Sequence, residues 1–232
     1  DPVFKDLGLA ELMASIKYHS KIRYDLTGYL RLLVYGRILD PASKLATVRE
    51  NHDYYTPIVP EDSYLYHVYD TLDVVYENRL KIMQRMNSAI RKGMGRDTSL
   101  LFYDVTNFYF EIGDPDPDEE DGNGETVEKG IRKKGVSKEH RNQPIVQMAM
   151  FLDHSGIPIA INMFPGNTLD HQTAVPTYEE TISKMGFDSK FIFIADKGIC
   201  TGPIMCSLLD DGNGYIISKS LKKSTKEDRE WA

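Results

Sequence analysis

The sequence predicts an α/β protein in which an all-helical region, residues 1–97, precedes a region over residues 98–232 built on a mixed sheet. Three observations lead there. Up to about residue 97 apolar side chains recur at three- and four-residue spacing, the period of a helix with one buried face. From Ser99 onward the apolar residues fall instead into short runs rich in β-branched and aromatic side chains, separated by Gly, Asp and Pro. Two of these runs, Leu100–Glu111 and Phe191–Gly198, each carry one aspartate, Asp104 and Asp196. A carboxylate in such a run is costly unless it is paired, hydrogen-bonded or bound to a metal.

In the first region, Leu9, Leu12, Met13 and Ile16 define one helix, and Leu26, Tyr29, Leu30, Leu33 and Ile38-Leu39 a second. Asp40-Pro41 is expected to cap and open a third through Leu45 and Val48. After the Pro57–Pro60 break, Tyr64-Leu65, Val68-Tyr69 and Leu72 give another. Leu80, Met83, Met86 and Ile90 give the last, stopped by Gly93 and Gly95. The region reads as a helical domain packed for its own stability, or as a DNA-binding bundle; no helix shows a clear basic recognition face.

In the second region the Asp104 strand comes first. Residues 112–142, acidic from Glu111 to Asp121 and then basic through Lys129, Arg132, Lys133, Lys134, Lys138 and Arg141, are expected to form a mobile surface excursion. Pro144–Leu152 and Ile157–Phe164 then read as two strands joined at Asp153-His154-Ser155-Gly156. Pro165–Asp170 turns the chain into a helix through Val175, Tyr178, Ile182 and Met185, which Pro176 suggests begins near Val175. The Asp196 strand, a helix from Gly202 through Leu209 and a strand at Tyr215–Ser218 complete the order. Because the Asp196 strand is reached through a helical crossover, it can lie parallel to and beside the Asp104 strand.

With 232 residues, 41% of them hydrophobic, the chain can bury a sizeable core. A net charge of −7 argues against coating nucleic acid by bulk electrostatics, although the average hides the basic patch. No run approaches the roughly 20 apolar residues of a membrane span, and no secretory leader opens the chain, so a cytoplasmic protein with no membrane partner is expected. Two cysteines, Cys200 and Cys206, fit neither a disulfide framework nor a zinc site and read as buried thiols. The ends, Asp1-Pro2 and Trp231-Ala232, suggest a piece of something longer.

Two strands that each deliver an aspartate at or near a carboxyl end are a natural way to build a divalent-metal site. Four segments carry a resemblance in the same order: Tyr103–Glu111; Gly135–Arg141 with Gln147; Pro165–Asp170; and Ile194–Gly198. Together they resemble the ribonuclease H-like catalytic core of the DDE transposases of bacterial insertion sequences. Asp40–Ala46 is also similar to the helical region that precedes that core. The resemblance implies a sheet of three antiparallel strands followed by parallel strands with helices. It further implies cleavage and joining of phosphodiester bonds at insertion-sequence ends by two-metal catalysis, with Asp104 and Asp196 as the catalytic carboxylates and metal ligands. Mg2+ would be the cofactor, with Mn2+ as a substitute. The implied partners are element-end and target DNA, a homodimer in the synaptic complex, and the nucleoid when DNA is bound.

The family's third acid, a glutamate in a tyrosine, arginine, glutamate, lysine pattern, has no counterpart in this chain. Glu227 and Glu230 come too soon after the last strand, so the fragment alone is expected to be inactive. Lys138, His140 and Arg141 are candidates for DNA-backbone contacts, against the alternative of a solvated basic loop facing its acidic neighbour. Lys197 could contact a phosphate or be structural. Asp170 could be a helix cap. Two competing functions stay open: a non-catalytic DNA-binding or dimerising module of a degenerate element, and a phosphatase with Asp104 as nucleophile. The latter would want an all-parallel sheet and a second acid where Thr106 stands.

Overall fold

The structure, a computed structural model, describes residues 2–60, 64–136, 142–187, 190–199 and 201–218. The chain divides into two compact units, Asp1–Gly95 and Arg96–Ala232.

The first unit is helical: α1 Pro2–Asp6, α2 Leu9–Tyr18, α3 Leu26–Leu39, α4 Lys44–Arg49, α5 Leu65–Glu77 and α6 Arg79–Met94. Tyr29 and Leu32 of α3, Val68 of α5 and Val59 in the loop between α4 and α5 are buried together at its centre. Buried Asn51 ties that loop down, its side-chain amide donating to the Val59 carbonyl and its oxygen accepting from the Ile58 and Val59 amides. Asp25 caps α3 by accepting from the Gly28 amide. Gly95, at φ +69°, ends α6 in the left-handed conformation that a side chain resists.

Asp40-Pro41 does not open α4. Asp40 is extended and closes α3, donating its amide to the Gly36 carbonyl, and the Ser43 hydroxyl caps α4 by accepting from Ala46. Pro41 favours the extended backbone at Asp40, and Ser43 is the cap that lies directly before Leu45 and Val48.

The second unit is built on a five-stranded sheet of β1 Leu100–Tyr109, β4 Ile145–Leu152, β5 Pro158–Pro165, β6 Ile192–Ala195 and β7 Gly214–Ile217. Their order is β5-β4-β1-β6-β7. The β1–β4 and β4–β5 pairs are antiparallel, whereas β1–β6 and β6–β7 are parallel. This is the ribonuclease H-like mixed sheet that the sequence predicts, and it is not the all-parallel sheet that a phosphatase of the kind considered above would need. Helix α7, Asp170–Glu180, makes the crossover to β6, and α8, Gly202–Asp210, the one to β7.

Alternation along β1 sends Leu101, Tyr103 and Val105 into the core, where Ala149 and Phe151 of β4 and Phe193 of β6 are also buried. The Tyr103 ring meets Phe151 and Phe193 at centroid distances of 4.8 and 5.7 Å, and its hydroxyl lies 2.6 Å from that of Thr173 on α7. Burial pushes the Tyr103 phenol up to about 12, against the opposing effect of its threonine hydrogen bonds.

Helix α7 begins at Asp170, not near Val175, and Pro176 lies inside it. Gln172 secures the early start by accepting from the Leu169 amide. The hydroxyls of Thr173, Thr177 and Thr181 donate to the carbonyls of Asp170, Thr173 and Thr177, a side-chain ladder along a helix whose own ladder a proline interrupts. Asp170 is the first helical residue rather than the cap, and its charge suits the positive end of the helix.

Residues 112–136 are not a loose excursion. They contain a second, two-stranded sheet, β2 Glu119–Glu120 with β3 Thr126–Glu128, and the acidic arm is clasped to the basic one. Arg132 meets Asp116 at 2.5 Å and Lys133 meets Asp118 at 2.6 Å. The arm is then fixed to the ends of β4 and β5. Lys133 and Ile145 exchange backbone hydrogen bonds, a Cβ on Gly135 would overlap the Gly166 carbonyl, and one on Gly166 would overlap the carbonyls of Ile145 and Lys133. The sequence pattern missed this because it averaged a charge run into a disordered composition; the signal was the one-to-one spacing of opposite charges.

Candidate active site

Asp104 sits at mid-strand on β1 and, by alternation, on the face opposite Tyr103. It is exposed, and one carboxylate oxygen accepts from the Val105 amide at 2.8 Å. Its antiparallel neighbour is Met150. On the other side, the parallel register pairs Phe102 with Ile194 and Tyr103 with Ala195, where β6 ends. Asp104 and Asp196 are therefore the next residues on adjacent strands. Continued one residue past the end of β6, the alternation that buries Phe193 and exposes Ile192 would put Asp196 on the Asp104 face.

Two lengths produce this juxtaposition. β1 is ten residues long and β6 is four, so the carboxyl end of β6 falls beside the middle of β1. Asp196 is exposed and leads a tight turn: its carboxylate accepts from the Gly198 amide and its carbonyl from the Ile199 amide at 3.2 Å. A Cβ at position 198 would stand 3.0 Å from that carboxylate, so glycine keeps the turn closed.

The chemistry of the pair is that of hard oxygen donors, which suits Mg2+ or Mn2+. Among the described residues no three His, Cys, Asp or Glu side chains gather into a metal-binding group. Glu227 and Glu230 lie outside the described residues. Lys197 is exposed in the turn rather than on the strand, so the strand alternation that would have pointed it away from Asp196 does not apply. Lys138, His140 and Arg141 lie outside the described residues. Cys206 is exposed on α8, contrary to the buried thiol expected, and Cys200 is not described.

Behind the site, two buried polar contacts hold the antiparallel half of the sheet. Asp153, which opens the β4–β5 turn, accepts from the Ser155 and Ile157 amides and meets Arg96 at 3.1 Å, both side chains 2% exposed. Burial pulls the Arg96 guanidinium down from its usual range, and Asp153 opposes that pull. Buried Gln147 on β4 donates to the Thr168 carbonyl at 2.6 Å, fixing the turn between β5 and α7. No spacing rule in the sequence pairs Arg96 with Asp153 across 57 residues; a lone acid before a glycine turn was the only sign. No helix among the described residues is long and apolar enough to cross a membrane.

The sequence matches no known family profile and no curated protein. Among solved structures it is similar to the piggyBac transposase in a synaptic complex with hairpin DNA, with 11% identity over 97% of this chain and 52% of that one, at a TM-score of 0.43. It is also similar to the Mos1 transposase paired-end complex with the left transposon end, at 12% identity, 85% and 60% coverage and a TM-score of 0.31. A Mos1 mariner paired-end complex with Mn gives 12%, 84%, 59% and 0.32. The chain thus spans between half and three fifths of the length of these proteins.

Proposed function

We propose that this chain belongs to a DNA transposase of the DDE type, encoded by a bacterial insertion sequence, that cleaves and joins phosphodiester bonds with Asp104 and Asp196 as two of its three catalytic acids. The observation that supports the reading is the parallel β1–β6 register of a ribonuclease H-like sheet, whose last pair, Tyr103 with Ala195, stands one residue before each aspartate. In this reading both carboxylates hold divalent cations, Mg2+ or Mn2+, which when bound supply an activated nucleophile and stabilise the leaving oxyanion. The residues of the chain orient the site. Tyr103, Val105 and Phe193 lock the two strands from the core side, and the turn closed by Gly198 fixes the direction of Asp196. The DNA partners, element ends and target, follow from the reaction, as does a synaptic homodimer that joins two ends. The third acid belongs to the rest of the protein. Lys197 and the basic segment with Lys138, His140 and Arg141 are proposed to contact the DNA backbone.

The test is nicking of supercoiled plasmid and of element-end duplex by the full-length protein in Mg2+. Asp104→Ala and Asp196→Ala are each expected to lower the rate by at least about a hundredfold, since losing even a group that only hydrogen-bonds to a metal ligand costs about 10–100-fold. Wild-type rates in both variants would overturn the assignment.

A further inference from the structure

In the helical unit, a cavity of about 380 Å³ opens between the segment before α3 and the outer side of α5. Lys21, Arg23, Tyr24, Tyr66, His67 and Asp70 line it. We infer that it is a binding site for an unpaired nucleotide, the base lying against Tyr66 and the phosphate against Lys21, Arg23 and His67. The choice of ligand rests on the DNA-processing reading above; the geometry of the site does not.

The aromatic side of the site exceeds what packing requires. Tyr24 and Tyr29 serve the core, and His67 stacks on Tyr24 at 4.3 Å with planes 24° apart. Tyr66 continues the series 4.2 Å from His67, and Tyr64 stacks on Tyr66 at 5.3 Å and 25°. Yet Tyr64 is 54% and Tyr66 56% exposed, so both rings remain reachable from solvent beside the cavity. Such rings are platforms on which any base can stack.

The polar side is donor-rich by construction. The Tyr29 hydroxyl, buried, accepts from the Tyr64 amide at 3.1 Å and lies 3.1 Å from His67 Nδ1. The hydroxyl can give its own proton to His67 Nδ1, and in that tautomer His67 carries its N–H on Nε2. That N–H belongs to the same ring that lines the cavity. Among the described residues neither Lys21 nor Arg23 has an ion-pair partner, and both are exposed. Two guanidinium and ammonium groups with one N–H donor suit a phosphate, and Asp70 on the opposite wall leaves a net single positive charge, enough to favour one phosphate while repelling a dense array of them.

The test uses the full-length protein in EDTA, which silences any metal-dependent step, and a single-stranded 12-nucleotide probe carrying 2-aminopurine. The wild type is expected to quench the probe on binding. Tyr66→Ala is expected to weaken binding about tenfold and abolish the quench, and Tyr66→Phe to retain both, because stacking needs only the ring. Lys21→Ala/Arg23→Ala is expected to weaken binding and reduce the slope of log K against log salt by about 1.4, whereas Asp70→Asn tightens it. Unchanged binding and quenching in Tyr66→Ala, or an unchanged salt slope in the double variant, would overturn the inference. The Asp104→Ala variant separates the two ideas. Its failure to lower nicking would sink the nuclease reading while leaving the EDTA binding series intact, and wild-type binding by the pocket variants would sink this inference while leaving nicking untouched.

Discussion

Asp104 and Asp196 are like charges that each follow the last β1–β6 pair, Tyr103 with Ala195, and like charges across a sheet are destabilising by roughly 0.2–1 kcal/mol. On the proposed reading a divalent cation reverses that repulsion. In EDTA, Asp104→Asn is therefore expected to melt slightly higher than wild type. Mg2+ at ten times its dissociation constant should raise wild-type stability by about 1.4 kcal/mol and leave Asp104→Asn unmoved; calorimetric melting with and without Mg2+ checks both. The Arg96–Asp153 pair belongs to the same scale with the opposite sign. Both side chains are buried, so Asp153→Ala strands a guanidinium away from water and should cost about 3–5 kcal/mol in a urea titration. Of these four residues the sequence revealed only the first two. Asp104 and Asp196 stand out because each breaks an apolar run, which is a local signal. Asp153 also closes an apolar run, but it does so at a hairpin turn, and its partner Arg96 sits among glycines and polar residues far back in the sequence, so the pair becomes conspicuous only after the chain folds.

Among the elements, the clasped arm over residues 112–136 departs furthest from expectation. Hydrogen bonds from Arg132 and then Coulombic attraction hold the Asp116 carboxyl below the usual range, and Lys133 does the same for Asp118. A depressed acid contributes stability above its ordinary value, 3.8 here, and loses it as pH falls through the lower value it has when folded. The clasp is thus expected to stay shut at neutral pH and open only well below pH 4. The backbone amides of Gly130 and Arg132 donate to Asp118 and Asp116, so their NMR shifts should follow that titration. In α7 the proline offers a second check. Pro176→Ala restores a backbone donor at a half-buried position and should stabilise the protein by up to about 3 kcal/mol, read as a higher melting temperature. The helix itself was legible from Val175 and Tyr178, although it ends at Glu180 and the expected continuation through Ile182 is a separate 3-10 turn, Ile182–Lys184. Its first turn was not, because a proline rule written for isolated helices was outweighed by Gln172 and the threonine hydroxyls.

For the molecule as a whole, the order of strands was legible because crossover rules leave few options once one strand is reached through a helix. Strand lengths were not legible, and they decide where the acids meet: β1 continues from Asp104 to Tyr109 after β6 has stopped. The two units have separate cores, one around Leu32 and Tyr29, the other around Tyr103 and Phe151. Leu32→Ala should cost about 2–5 kcal/mol in the first while leaving hydrogen-exchange protection of β1 and β4 unchanged. The abrupt end of β6 has a further consequence. It makes a step in the sheet, beside which both exposed acids stand. On the proposed reading that step is a shelf, across which a long polymer can lie and be gripped at a distance.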